Sequence, residues 1–192
     1  MKKFFSLAFC DNFVLCRMLK YNYKEGDHMK ILCLKTELIQ SDFAKQLQTL
    51  LPEFEIIEPQ FPDDAAEAIL EKYFFDEELA LVIGYNAGNG YAIKMPLGKK
   101  LLICPTFLEF ERDILRPEIA EHNLANETFA LFGKYGALPH FQAEFEKLFI
   151  PEQVYTFDGV EWDEPFIQNL IPVIKAVIAK PDSPLCFVLD EL

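Results

Sequence analysis

Side chains able to carry covalent chemistry are sparse in this chain. Three histidines (His28, His122, His140) and five cysteines (Cys10, Cys16, Cys33, Cys104, Cys186) are scattered along 192 residues. No two cysteines stand in Cys-x-x-Cys spacing, so neither a zinc site nor a disulfide framework is indicated. Cys33 and Cys104 fall inside apolar runs and are expected to be buried thiols. The most informative stretch is residues 81–88, Leu-Val-Ile-Gly-Tyr-Asn-Ala-Gly. It reads as a strand entering a tight turn that opens a helix, with Gly84 and Gly88 where backbone must approach backbone. Asn86, between them, is expected at positive φ, which asparagine tolerates better than most residues. Its amide can donate and accept hydrogen bonds but is no nucleophile.

Glycine-rich turns at helix starts also cradle phosphates. Here residues 84–90 lack the Gly-Lys-Ser/Thr of a phosphate loop, and no third glycine follows Gly90 at dinucleotide spacing. No cofactor and no metal are expected. His140, after Pro139, reads as a cap or surface residue rather than a general base.

The strand, the Gly-x-Asn-x-Gly turn and the helix together resemble the nucleophile elbow of the α/β-hydrolase superfamily, in particular its small single-domain bacterial serine esterases. That family carries serine where this chain has Asn86. Three more stretches resemble family motifs at strand ends. Leu34-Lys35-Thr36-Glu37 stands where a Leu-His-Gly-Phe-like motif contributes to the oxyanion hole. Its glycine is absent, and Glu37 opposes the charge stabilisation required. Leu131-Phe132-Gly133-Lys134-Tyr135-Gly136 resembles the acid-bearing Phe-Gly-Asp-x-Asp stretch, with Lys134 and Gly136 at the acidic positions. Phe157-Asp158-Gly159-Val160-Glu161-Trp162 resembles a Phe-x-Gly-Gly-His stretch, with Glu161 where the histidine belongs. The resemblance spans residues 29–179 and implies the fold of an esterase with Asn86, Gly136 and Glu161 at the triad positions, hence no catalytic residues. The old cleft is then lined by Lys35, Thr36, Tyr85, Asn86, Ala87, Lys134, Tyr135, Glu161 and Trp162, with Glu161 expected to pair with Lys35 or Lys134. The expected role is a binding module for a small molecule or a protein. Alternatives are an active esterase or thioesterase-like hydrolase working through non-standard residues, and an assembly subunit with a closed cleft.

The elements that must position these residues follow from the hydropathy pattern. Short apolar runs alternate with helical spacing from Met29 onward, the pattern of a mostly parallel sheet in a three-layer α/β/α fold. Strands are expected at residues 30–34, 54–57, 79–83, 100–104, 128–132 and 154–157. Helices are expected from Ser41 to Pro52, from Asp63 to about Phe74, over 89–95, over 141–149 and from Asp163 or Glu164 to about Ala179, where Pro172 is a candidate kink. One or two short helices are expected within 107–124.

A chain of this length with 51% hydrophobic residues suits one domain. Its 18 basic and 31 acidic side chains leave a net charge of −13, which opposes binding to nucleic acid or anionic membrane. Residues 1–28 are locally basic and read as an extension or upstream start before a domain at 29–180. Residues 181–192 read as a tail or edge strand. The thiol pattern points to a cytoplasmic location, and the oligomeric state is open.

Overall fold

Strands that are apolar residue after residue present apolar side chains to both faces and must be covered on both, as in a parallel sheet whose crossovers lay helices on each side. The computed structural model describes residues 29–35, 42–60, 66–74, 76, 78–85, 87–95, 99–105, 127–134, 151–158 and 166–181. They form six strands: β1 (Met29–Leu34), β2 (Phe54–Ile57), β3 (Leu79–Tyr85), β4 (Lys99–Ile103), β5 (Thr128–Gly133) and β6 (Val154–Phe157). The order is β2-β1-β3-β4-β5-β6 and every pairing is parallel. The described helices are α1 (Phe43–Leu50), α2 (Ala66–Leu70), α3 (Gly88–Lys94) and α4 (Phe166–Ala179); short 3-10 turns follow α2 and precede β6.

Strand parity divides the core in two. Ile31, Cys33, Leu81, Ile83, Leu101, Ile103, Phe129 and Leu131 face one side, where Phe43, Leu47 and Leu51 of the α1 region and Phe166, Leu170, Ile174 and Val177 of α4 cover them. Leu32, Leu34, Val82, Leu102, Ala130 and Phe132 face the other, covered by Leu70 at the end of α2 and by Ala92 and Ile93 of α3. The result is the expected three-layer α/β/α fold, its sheet wholly parallel among the described residues. Leu79 breaks parity and joins the second face. A bulge explains this: Lys30 pairs with Leu79 but Ile31 with Leu81, so Ala80 is an extra residue that flips the register.

Strands β1, β4 and β5 and helix α3 lie within one residue of the expected bounds at each end, and larger differences occur elsewhere. Strand β3 runs on to Tyr85, because Tyr85 still pairs with Ile103. The helix expected from Asp63 begins at Ala66 within the described residues and tightens into a 3-10 turn at Glu71–Tyr73. Helix α4 continues through Pro172. The expectations for residues 1–28, Ser41, Asp63, 107–124, 141–149 and 182–192 lie outside the described residues.

The amino edge of the sheet is held by lysines. Lys30 pairs with Asp76 at 3.0 Å and Glu78 at 2.6 Å, and the hydrogen bonds it donates to Glu78 and then to Asp76 hold its ammonium well above the ordinary lysine range. Lys99, buried at the start of β4, donates to the Ile178 carbonyl at 2.9 Å and to the Lys180 carbonyl, satisfying acceptors that the end of α4 leaves open. The Lys180 ammonium lies 4.8 Å from the Phe129 ring centroid and 5.6 Å from that of Tyr155. Lys99→Met keeps the apolar stem and removes the donor. It is expected to cost about 1–3 kcal/mol, the range for leaving a buried acceptor unpaired, read as a lowered urea midpoint with an unchanged slope.

Candidate functional site

Open α/β sheets bind ligands beyond the carboxyl ends of the strands, at the point where strand order reverses. In the order β2-β1-β3 that point lies between β1 and β3, and Gly84–Gly88 leaves β3 there. The two glycines explain how the turn fits. A methyl group on Gly88 would stand 1.9 Å from the Leu34 carbonyl oxygen and 2.5 Å from its carbon, so the first residue of α3 is pressed onto the end of β1. A methyl on Gly84 would meet Asn89 Cα at 2.8 Å and Ala92 Cβ at 2.9 Å, so α3 also sits directly over β3. Asn89, fully buried, donates from Nδ2 to the Ile103 carbonyl at 3.2 Å and ties the same helix turn to β4. One turn of helix is thereby anchored on three adjacent strands.

Of the expected cleft residues, Lys35, Tyr85, Ala87 and Lys134 are described. Lys35 leaves the end of β1 and Tyr85 ends β3, one residue beyond the Leu34–Gly84 pair. Ala87 is exposed and helical in conformation (φ −60°, ψ −20°) immediately before α3. Lys134 follows β5; its N–H donates to the Phe157 carbonyl at 3.0 Å. Thr36, Asn86, Tyr135, Gly136, Glu161 and Trp162 lie outside the described residues, as do all three histidines. The expected pairing of Glu161 with Lys35 or Lys134 therefore falls outside them too.

Both lysines nevertheless have carboxylate partners that sequence reasoning did not assign. Lys35 pairs with Glu58 at 2.8 Å across the ends of β1 and β2, with only 10% and 12% of the two side chains exposed. Glu58 Oε2 is buried with no hydrogen-bond partner among the described residues. Removing either member of such a pair leaves a charge stranded in a poorly solvated place, worth about 3–5 kcal/mol. Lys134 pairs with Asp158 at 3.2 Å, but both are more than half exposed, so that contact contributes about 0–1 kcal/mol. Asp158 belongs to the stretch whose Glu161 drew attention in the sequence; Glu58 carried no local signal, because only the pairing of β1 with β2 brings it beside Lys35.

Two thiols border the site. Cys33, fully buried under the β1 end, has its thiol pushed up well above the ordinary range by burial, with the Glu58 charge adding and Lys35 opposing. Cys104, at the end of β4, is the non-glycine residue with positive φ (45°) among the described residues. Its N–H donates to the Leu131 carbonyl at 2.9 Å and its thiol to the same oxygen at 3.4 Å, which hold a backbone conformation that costs about 1–3 kcal/mol. Among the described residues no group of three or more His, Cys, Asp or Glu side chains stands close enough to hold a metal ion, and no helix is long and apolar enough to cross a membrane.

Compared with known proteins, the chain matches no family model and no curated protein sequence.

Two substitutions test this geometry. Gly88→Ala must displace backbone rather than a side chain, and is expected to destabilise by at least about 1–3 kcal/mol, the usual range for overpacking. Gly84→Ala, with its looser contacts, is expected to cost less; chemical denaturation of both ranks them. For Cys33 the sign is also set: only the unfolded thiol ionises as pH rises past about 8.5, so folded stability falls with alkalinity. Cys33→Ala is expected to flatten that decline by up to about 1.4 kcal/mol per pH unit, measured as urea stability between pH 8 and 11.

Proposed function

We propose that this chain is a non-catalytic relative of the α/β-hydrolases, a binding module that takes a small molecule in the crevice between the carboxyl ends of β1 and β3. The observation that carries the reading is the seating of Gly88 on the Leu34 carbonyl. It fixes the start of α3 at the point of strand reversal, and the resemblance puts Asn86, two residues earlier in the chain, where an esterase carries its serine. The strand order supports the same reading, since β3 leads into the elbow and β5 and β6 lead into the stretches that resemble the acid- and histidine-bearing loops.

The chemistry at those positions supports binding rather than turnover. An amide stands at 86 for the nucleophile, Lys134 and Gly136 stand for the acid, and Glu161 stands for the base. A triad works because histidine takes the serine proton while the acid fixes its tautomer. A carboxylate at 161 with an amide at 86 has no proton to move. Lys35 is matched by Glu58, so the mouth of the crevice carries a neutralised pair instead of a free cation. A ligand there is recognised by backbone amides, the Asn86 amide and apolar wall rather than by net charge.

Hydrolysis of p-nitrophenyl acetate and butyrate by wild type, Asn86→Ala and Asn86→Ser tests the reading. All three are expected at the buffer rate. Asn86→Ser alone is expected to stay about four or more orders of magnitude below an intact triad, because the base and acid are missing. Wild-type turnover abolished by Asn86→Ala would overturn the proposal. Titration with butyrate and ethyl butyrate, followed by amide chemical shifts, is expected to move Lys35, Tyr85, Ala87 and Gly88 together. Shifts elsewhere, or none at these residues, argue against a ligand in this crevice.

A further inference from the structure

Among the described residues strand β2 is the outer strand on one side of the sheet, so half of its backbone groups face away from β1. A parallel neighbour would satisfy them residue by residue: the N–H of one added residue donates to a β2 carbonyl, and its carbonyl accepts from the β2 N–H two positions on. Gln48 of α1 makes that pair of bonds with its side chain. Its Nε2 donates to the Phe54 carbonyl at 2.9 Å, and its Oε1 accepts from the Ile56 N–H at 3.0 Å. A primary amide has the donor and acceptor of a peptide unit. Spanning residues 54 and 56, it stands in for one residue of an absent strand.

An uncovered edge of this kind is a template for pairing with another chain. The β2 residues Phe54-Glu55-Ile56-Ile57 are mostly strand formers, and Ile56 and Ile57 are only half-buried. The segment present in every solution of this protein with the same open groups is β2 of a second copy; two such edges pair antiparallel about a two-fold axis and draw on the same outward Phe54 carbonyl and Ile56 N–H. We infer that Gln48 closes the β2 edge against strand addition by a second copy of this chain. Glu55, exposed on β2, acts in the same direction, since two copies would bring like charges together. Gln48 is itself exposed on α1, where alanine is at least as good a helix former, so its presence is not explained by the helix.

Amide exchange and sedimentation test the inference together. In the full-length wild type the Ile56 amide is expected to be protected, to the same degree at all concentrations. In Gln48→Ala, folded by circular dichroism, its exchange in dilute solution is expected to rise about fivefold to tenfold, the equivalent of one net hydrogen bond. The sedimentation coefficient of the variant is expected to climb with concentration, more steeply at high salt where the glutamates are screened. Gln48→Met, which keeps the stem and removes both bonding atoms, is read by the same criteria. Variants that sediment like wild type at every concentration overturn the inference. A wild-type Ile56 amide that exchanges as freely as an unstructured one overturns it without any variant.

Discussion

The contact on which the rest of this structure depends is the seating of the Gly88 backbone against the Leu34 carbonyl. No side chain fits there, since a methyl group would lie 1.9 Å from the oxygen. Because α3 starts at that contact, its next residues must lie over β3 and β4, and Gly84 and Asn89 are suited to both. Gly84 clears the space beneath the helix; Asn89 supplies the polar link that a buried strand carbonyl requires. The chain leaves β3 at Tyr85 and is helical from Gly88. A close backbone approach of this kind tolerates little adjustment at Gly88.

The two ends of the sheet are organised differently. At the amino end, lysines act as structural ties: Lys99 on the carbonyls at the end of α4, Lys180 above two aromatic rings, Lys30 between two acids. Their ammonium groups stay in hydrogen-bonding surroundings while their stems fill apolar space. At the carboxyl end, charges are matched in pairs across neighbouring strands, Lys35 with Glu58 and Lys134 with Asp158. The first pair is close enough to the Cys33 thiol to affect its ionisation, so burial, ion pairing and thiol chemistry are coupled at the end of β1.

Much of the architecture was legible because its signals are local. Short apolar runs mark the strands; Phe43, Leu47 and Leu51 recur at helical spacing; two glycines four apart mark a strand-to-helix turn. Each depends on the period of the backbone and on the steric size of one residue. The sites that escaped notice depend on which strands become neighbours. Glu58 meets Lys35 because β2 pairs with β1. Leu79 changes face because Ala80 bulges out of the pairing between β1 and β3. Cys104 takes a left-handed backbone because its N–H and thiol both reach Leu131 on β5. Gln48, an unremarkable polar residue on a helix surface, acquires a role only because β2 ends the sheet.

The sequence by itself determined the class of fold, the six strands and the turn at residues 84–88, since periodicity and glycine sterics operate over a few residues. It also determined that an amide, and not serine, cysteine or histidine, stands at position 86. Only the tertiary structure decided the strand order, the partners of Lys35 and Lys134, the anchoring of α3 on three strands and the closing of the β2 edge. Those contacts join residues far apart in the chain, and their energy arises from burial and pairing that exist only once the sheet has formed.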